Sequence, residues 1–554
     1  MRFPPIWRLA SALALVASLL GLVPACEGLG GPERWFSAPA PVASAPAPAQ
    51  SALGTVAGRL RLYGTNPADL DPARAQDVAT WQYLLQIYSG LVKLNERLEV
   101  VPDAAESWQI TNGGRTYRFH LRPGLKFQDA KPVTANDFKY SLERATDPAS
   151  HSPVAGAYLG DIAGAAEKLS GRTTELRGVR VVDERTLEIT IDAPKTYFLS
   201  KLTYPTAFVV DRANVEGGGS QWWRKPNGTG PFRLKEWIDD DHLLLERNEN
   251  YYGPLPTLDQ IDYYLGGGSP MTMYERDELD VVEVGLGDIE RVLDPTNPLS
   301  KELLVQPLLS LWYIGFNTRQ PPFDDIKVRQ AFNLATDKDK LVNITFKRTR
   351  AKAEGVLPPG MPGYQSGFQG LGFNPAKARQ LIAESKYGGV ENLPEITLTL
   401  GEGGGPLGQT LAEMYHRNLG VKINVMTVGE GFFADLEARR YQMYYMGWVA
   451  DYADPQDFLD VLLHSQSPAN YGNYSNPEVD SLLERARTES DNSARLRLYA
   501  EAERKVVEDA ALVPLFHDVS HVLVKPRVRG LRWTPLGILS FAGTSVAADQ
   551  AHGS

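Results

Sequence analysis

From Thr55 onward, short runs of alternating apolar and polar positions interleave with apolar positions spaced three and four apart, the patterns of strands and helices. Strand-like runs fall at 116–121, 186–191, 242–246, 396–400 and 421–425. Helices are announced by their first residues. Thr134-Ala135-Asn136-Asp137 has the spacing of a capping box ahead of a helix over 138–144. Asn374-Pro375 and Asn476-Pro477 each place an N-cap before a proline at the first helical position. After Asn476, the residues Val479, Leu482, Leu483 and Ala486 form one apolar stripe. The alternation has no fixed period, which predicts an α/β or α+β chain and excludes a solenoid.

The beginning of the chain follows another pattern. Arg2 and Arg8 flank the start of an apolar run over 9–23, shorter than the roughly 20 residues of a membrane span but suited to a signal-peptide core. It ends at Val23-Pro24-Ala25-Cys26, where a small residue before the only cysteine resembles a bacterial lipobox. In a lipobox the cysteine is lipidated and becomes the mature N-terminus; plain secretion with a free thiol is the alternative reading. Pro, Ala and Ser alternate over 38–50, the composition of a semi-extended tether. The reading is a signal peptide over 1–25, a lipid-anchored linker over 26–54, and an extracytoplasmic fold from Thr55.

Composition narrows the function. The chain has 554 residues, 43% hydrophobic and 22% charged, ordinary globular usage. A net charge of −10 makes it a poor general nucleic-acid binder. One cysteine excludes a disulfide framework and a four-thiolate zinc site. The glycine triplets at 217–219, 266–268 and 403–405 lack the spacing of a phosphate cradle. GxSxG, HExxH and a cysteine nucleophile are all missing, so no enzyme and no cofactor is expected. His517 and His521 lie four apart in an apolar run, a weak metal pair without a third ligand.

Several ordered segments carry a resemblance. Leu70-Asp71-Pro72 precedes Ile87-Tyr88-Ser89-Gly90-Leu91-Val92; Val101 to Trp108 leads into Tyr117-Arg118-Phe119-His120-Leu121-Arg122 and Phe127. Then come Gly228-Thr229-Gly230-Pro231-Phe232, Arg247-Asn248 with Tyr251-Tyr252, Phe316-Asn317 with Pro322-Phe323, and Val328-Arg329-Gln330-Ala331. Gly447-Trp448, Asp451, Asp454-Pro455 and Asn476-Pro477-Glu478 close the set. Together they resemble the family 5 extracellular solute-binding proteins of ABC importers, which include oligopeptide-, dipeptide- and nickel-binding proteins. The resemblance implies an α/β, two-lobed periplasmic-binding-protein-like fold of type II, a three-domain cluster with discontinuous lobes. Lobe one would be 55–309 plus 515–545 with an accessory domain at about 78–202, and lobe two 310–514. Crossover strands are expected at 311–317 and 513–516. The implied partners are a peptide ligand and the permease and ATPase of an importer, with no nucleic acid and a monomeric receptor; an oligosaccharide or nickel chelate is the alternative ligand, and an extracellular hydrolase the alternative class.

The stretch 444–455 concentrates the candidate chemistry. Its acids and those that follow are spaced by three: Asp451, Asp454, Asp457 and Asp460. Asp454 suits the N-cap of a helix starting at Pro455, with Asp457 its third residue near the positive helix end. Asp451 has no such local role. By resemblance it pairs with a ligand's N-terminal ammonium; a turn-forming aspartate is the bland alternative. Gly447 and Val449 would offer backbone groups to an extended ligand, with room over the glycine, and Asn66 to Asp69 would face its other side. Tyr445, Trp448 and Tyr452 would line the cleft, as sugar- or peptide-facing rings or as plain packing. Oligopeptide binders carry an arginine where Tyr445 stands, so Arg439 and Arg440 are either its substitutes or a solvated pair.

Overall fold

The computed structural model describes residues 58–547; the signal peptide, the linker and Cys26 lie outside them. Twelve strands form one sheet. In chain order they are β1 (Arg59–Tyr63), β2 (Phe232–Ile238), β3 (His242–Arg247), β4 (Gln260–Tyr264), β5 (Val281–Glu283) and β6 (Leu303–Pro307). There follow β7 (Ser310–Phe316), β8 (Arg350–Lys352), β9 (Ile396–Gly401), β10 (Ile423–Val428), β11 (Met443–Val449) and β12 (Leu512–Val524). The path across the sheet is β10-β9-β11-β7-β12-β5-β1-β4-β3-β2, with β6 and β8 also paired to β12.

The molecule is two-lobed, and β12 joins its halves. Residues 512–518 of β12 pair with β7 and β8, whereas residues 519–524 pair with β6 and β5. Both expected crossovers are strands, antiparallel to each other. The second is far longer than the four residues expected, 13 in all, because its partners change midway while its backbone stays extended. Around β7 and β9 the core is aromatic: Phe316 stacks on Phe323 at 4.4 Å, and Phe332 meets Tyr415 at 4.7 Å.

A separate four-stranded antiparallel sheet runs Ala105–Thr111, Thr116–Leu121, Thr186–Thr190, Val179–Asp183 in spatial order. The Ala135–Ala145 helix packs on it through Phe138 and Leu142, and its start carries the Thr134–Asp137 capping box. The core of this sheet continues into the cluster around Tyr452, Phe458 and Leu462. Asn476 caps the Pro477–Thr488 helix by accepting from the Glu478 N–H at 2.9 Å, and the stripe Val479, Leu482, Leu483, Ala486 is the buried one. The strand expected at 421–425 begins two residues later. Gly420, in the left-handed region at φ +78°, closes the helix before it, so the next residues complete the turn.

Candidate functional site

β11 has one satisfied edge and one bare one. Along its whole length it pairs antiparallel with β7, from Val449 opposite Ser310 to Met443 opposite Phe316. On the other edge β9 meets only Met443 and Tyr444. The Ala450 N–H donates to the Leu309 carbonyl at 2.7 Å, which sets the phase of the ladder. Backbone groups of 444, 446 and 448 therefore turn toward β7, and those of Gly447 and Val449 turn away. Among the described residues no strand pairs with that edge beyond Tyr444. The Val449 side chain is exposed.

The room expected over Gly447 is taken. A Cβ there would lie 2.7 Å from the Trp312 indole, which lies over the glycine from the neighbouring strand. Trp312 also stacks on Tyr445 (5.2 Å, 18°) and on Phe516 (6.2 Å, 25°), and its Nε1 donates to Asp518 Oδ2 at 2.7 Å. The glycine thus admits an indole, not a ligand, on its side-chain face; what stays open is its backbone edge. Met446 and Trp448 point to the opposite face and pack on the large core.

At the end of β11 the acids separate by partner. The helix starts at Gln456 with Pro455 at the N-cap, so Asp454 stands one residue ahead of the expected cap position; it accepts from the Gln456 N–H at 2.9 Å and forms a buried ion pair with Arg495. Asp460 is held by Arg487, with the Nε at 3.0 Å. Asp457 is buried as the second residue of the Gln456–Leu463 helix, not the third. Its Oδ2 accepts from the Asp451 N–H at 3.0 Å and the Trp448 Nε1 at 3.3 Å, so it ties the loop to the strand rather than only facing the helix dipole. Among the described residues Asp451 is left with no basic partner. Burial pushes its carboxyl up to about 6, moderated by a hydrogen bond with the Tyr158 hydroxyl. Burial, then the Asp451 charge, raises the Asp457 carboxyl well above the usual range.

Tyr158 belongs to the Ala155–Leu159 helix beside the smaller sheet. It stacks on Tyr204 at 3.7 Å and 11°, and Tyr204 in turn meets Trp81 at 5.1 Å. This aromatic column backs Asp451 from the far side of the chain, and nothing in the local pattern around Tyr158 signals it. Trp312 was equally hidden, since its role depends on which residue lies opposite it in the ladder.

The remaining candidates scatter. Tyr452 is buried and hydrogen-bonds Gln456 through its hydroxyl. Residues 66–69 form no strand; Asn66 Oδ1 accepts from the Trp237 Nε1 at 3.1 Å, and Asp69 pairs with Arg74 at 3.1 Å. Arg439 donates to the carbonyls of Asn470, Glu437 and Pro468, while Arg440 pairs with Asp435, so neither is a free substitute for the missing arginine. His517 and His521 are buried along β12, bound to the carbonyls of Ser310 (2.7 Å) and Val519 (3.0 Å). Burial lowers both imidazoles, His517 to about 4, so they are neutral near pH 7.

Comparison with known proteins adds a lineage to this geometry. Residues 99–470 match the family described as bacterial extracellular solute-binding proteins, family 5 Middle. The chain is 32% identical to the periplasmic oligopeptide-binding protein OppA of Escherichia coli (strain K12), over 85% of this chain and 89% of that protein. It is 30% identical to the probable deoxycholate-binding periplasmic protein YgiS of the same organism, over 84% and 89%. The crystal structure of Haemophilus influenzae OppA in complex with the peptide RPPGFSPFR superposes with a TM-score of 0.73 at 25% identity, covering 88% of this chain and 99% of that one.

Proposed function

Because the chain belongs to the family 5 bacterial extracellular solute-binding proteins, we propose that it is an extracytoplasmic receptor for short peptides that passes them, unaltered, to an ABC permease. The observation that carries this reading is Asp451: a half-buried carboxylate, without a cation among the described residues, at the end of a strand whose edge is bare. A peptide supplies both missing parts. Its ammonium neutralises the acid through a charge-assisted bond, and its backbone extends the sheet along Gly447 and Val449. The receptor acts as a monomer, anchored through lipid at Cys26, and its lobes close about β7 and β12 when ligand bridges them. Binding carries no turnover.

The test is native mass spectrometry of the protein purified from its host, with fragmentation of any ligand that stays bound. A co-purified mass that fragments as a peptide supports the reading; a sugar or a nickel chelate overturns the peptide assignment. Small-angle scattering with the same ligand should show a smaller radius of gyration than the empty protein. Identical profiles would reject lobe closure.

A further inference from the structure

A peptide has two charged ends, and the structure answers only one of them. β11, whose edge is bare, and β7 on its paired edge contain no lysine or arginine, and β12, next to β7, has only its two neutral histidines. Several basic side chains on the flanking segments are engaged elsewhere. Arg350 pairs with Asp518 at 2.9 Å and donates to the Thr349 carbonyl at 2.9 Å. Lys352 pairs with Asp339 (3.2 Å) and Glu354 (3.0 Å). Arg439 is spread over three carbonyls, and Arg440, Arg487 and Arg495 are paired with Asp435, Asp460 and Asp454.

What lies up the strand from Asp451 is aromatic. Tyr445 and Trp312 stack side by side, both half-buried, with Phe516 behind. The charges nearest them are Asp518, the Arg350 paired with it at 2.9 Å, and beyond them Glu283, so one cation is shared between two acids and a second carboxylate is disfavoured. A charged C-terminus placed here would lose its water and meet only an arginine already held by Asp518, whereas an apolar or aromatic group would cover two rings.

Building on the peptide reading above, we propose that the site selects ligands by a free amine and an apolar or aromatic side chain, and is indifferent to the terminal carboxylate. Ligand length is then unrestricted by an end-anchoring cation, and amidated or carboxyl-extended peptides are as good ligands as free acids.

The test is calorimetry with four probes: Ala-Tyr-Ala, its C-terminal amide, its N-acetyl form, and Ala-Ala-Ala. The amide should bind within threefold of the acid, and the acetylated form at least 30-fold more weakly. Ala-Ala-Ala should bind at least fivefold more weakly than Ala-Tyr-Ala to the native protein, and that preference should shrink to under twofold in Tyr445→Ala. Tyr445→Leu, which keeps bulk and apolarity, should retain part of it; circular dichroism checks that both variants are folded. A tenfold or greater loss on amidation overturns the inference while leaving the peptide reading intact. Preference for the aromatic probe that persists in both variants overturns the aromatic half alone. If neither acid nor amide binds, the peptide reading falls and takes this inference with it.

Discussion

The loop 450–453 and the helix that follows it carry the same residue type at regular intervals, yet the two regions treat it in opposite ways. In and at the helix, Asp454 and Asp460 each face an arginine, and Asp457 accepts two N–H bonds. In the loop, Asp451 has a tyrosine hydroxyl and no cation. Partnered acids hold the protein together. The unpartnered acid is a standing cost that the empty protein carries and that an arriving cation relieves. Spacing alone does not separate the two kinds; the arginines do, and they come from elsewhere in the chain.

Breaking a partnered acid should give the largest effect and should fall on stability. Asp454→Ala leaves Arg495, a side chain 5% exposed, as an unpaired buried charge. Loss of one member of such a pair typically costs about 3–5 kcal/mol. Asp454→Asn keeps the acceptor for the Gln456 N–H but not the ion pair, so it too should unfold at lower urea, although that N–H bond taken by itself predicts near-neutrality. Affinity per folded molecule should be unchanged in both. Urea melts alongside calorimetry separate these readouts; normal stability in Asp454→Asn would mean the arginine is not held by charge.

Asp451→Asn should do the reverse. Removing one partner of a desolvated charge pair typically costs about 2–5 kcal/mol of binding, roughly 30- to several-thousand-fold. The empty protein should be as stable as the native one or more so, because a carboxylate with a raised pKa is a net liability to the fold. N-acetylated peptide should lose little more on mutation, since both changes remove one interaction. Additive losses in that two-by-two cycle would show that Asp451 does not meet the amine.

How much of this was legible in the sequence follows from range. Helix starts at Thr134, Asn374 and Asn476 depend on residues within one turn, and all three cap as their spacing implies. Asp451 stood out by elimination, once local roles had been found for its neighbours. Missed features depend on distant partners. Arg495 meets Asp454 across 41 residues, and Trp312 reaches Gly447 only because one strand register places them opposite each other. A one-residue slip would put a different side chain over the glycine. Tyr445 stands out in the sequence as a departure from the arginine of oligopeptide binders, but its stacking on Trp312 depends on the ladder.

The pH dependence extends the contrast. With the Asp451 carboxyl at about 6 in the empty protein, protonation competes with an ammonium ligand below that pH. Between pH 7.5 and 5, affinity should fall about tenfold, and about half a proton should be released per ligand bound at pH 6. The sign for stability is opposite. A carboxyl whose folded pKa lies above its unfolded value binds protons more tightly when folded, so its contribution to stability grows as pH falls through about 6. Calorimetry in buffers of different ionisation enthalpy measures the proton release, and Asp451→Asn should abolish it. Release that persists in the variant would assign the titration to another group.

The smallest expected effect falls on Asp457, which sits between the two classes. It is buried in the helix like the partnered acids, but its oxygen serves the loop, accepting from Asp451 N–H and Trp448 Nε1. Asp457→Asn keeps an acceptor for both donors. Burial and the Asp451 charge hold the Asp457 carboxyl well above the usual range, so Asp451 ionises first and Asp457 stays protonated beside it. Replacing a protonated acid by a neutral amide should therefore leave the midpoint of the binding profile where it is. Near pH 7 affinity should change by about threefold or less. Asp457→Leu offers no acceptor, so it should loosen the loop and weaken binding at every pH. Together the pair tells charge from scaffolding: an Asn variant as damaged as the Leu variant would mean that Asp457 contributes its charge to ligand capture and belongs with Asp451, not with the acids of the helix.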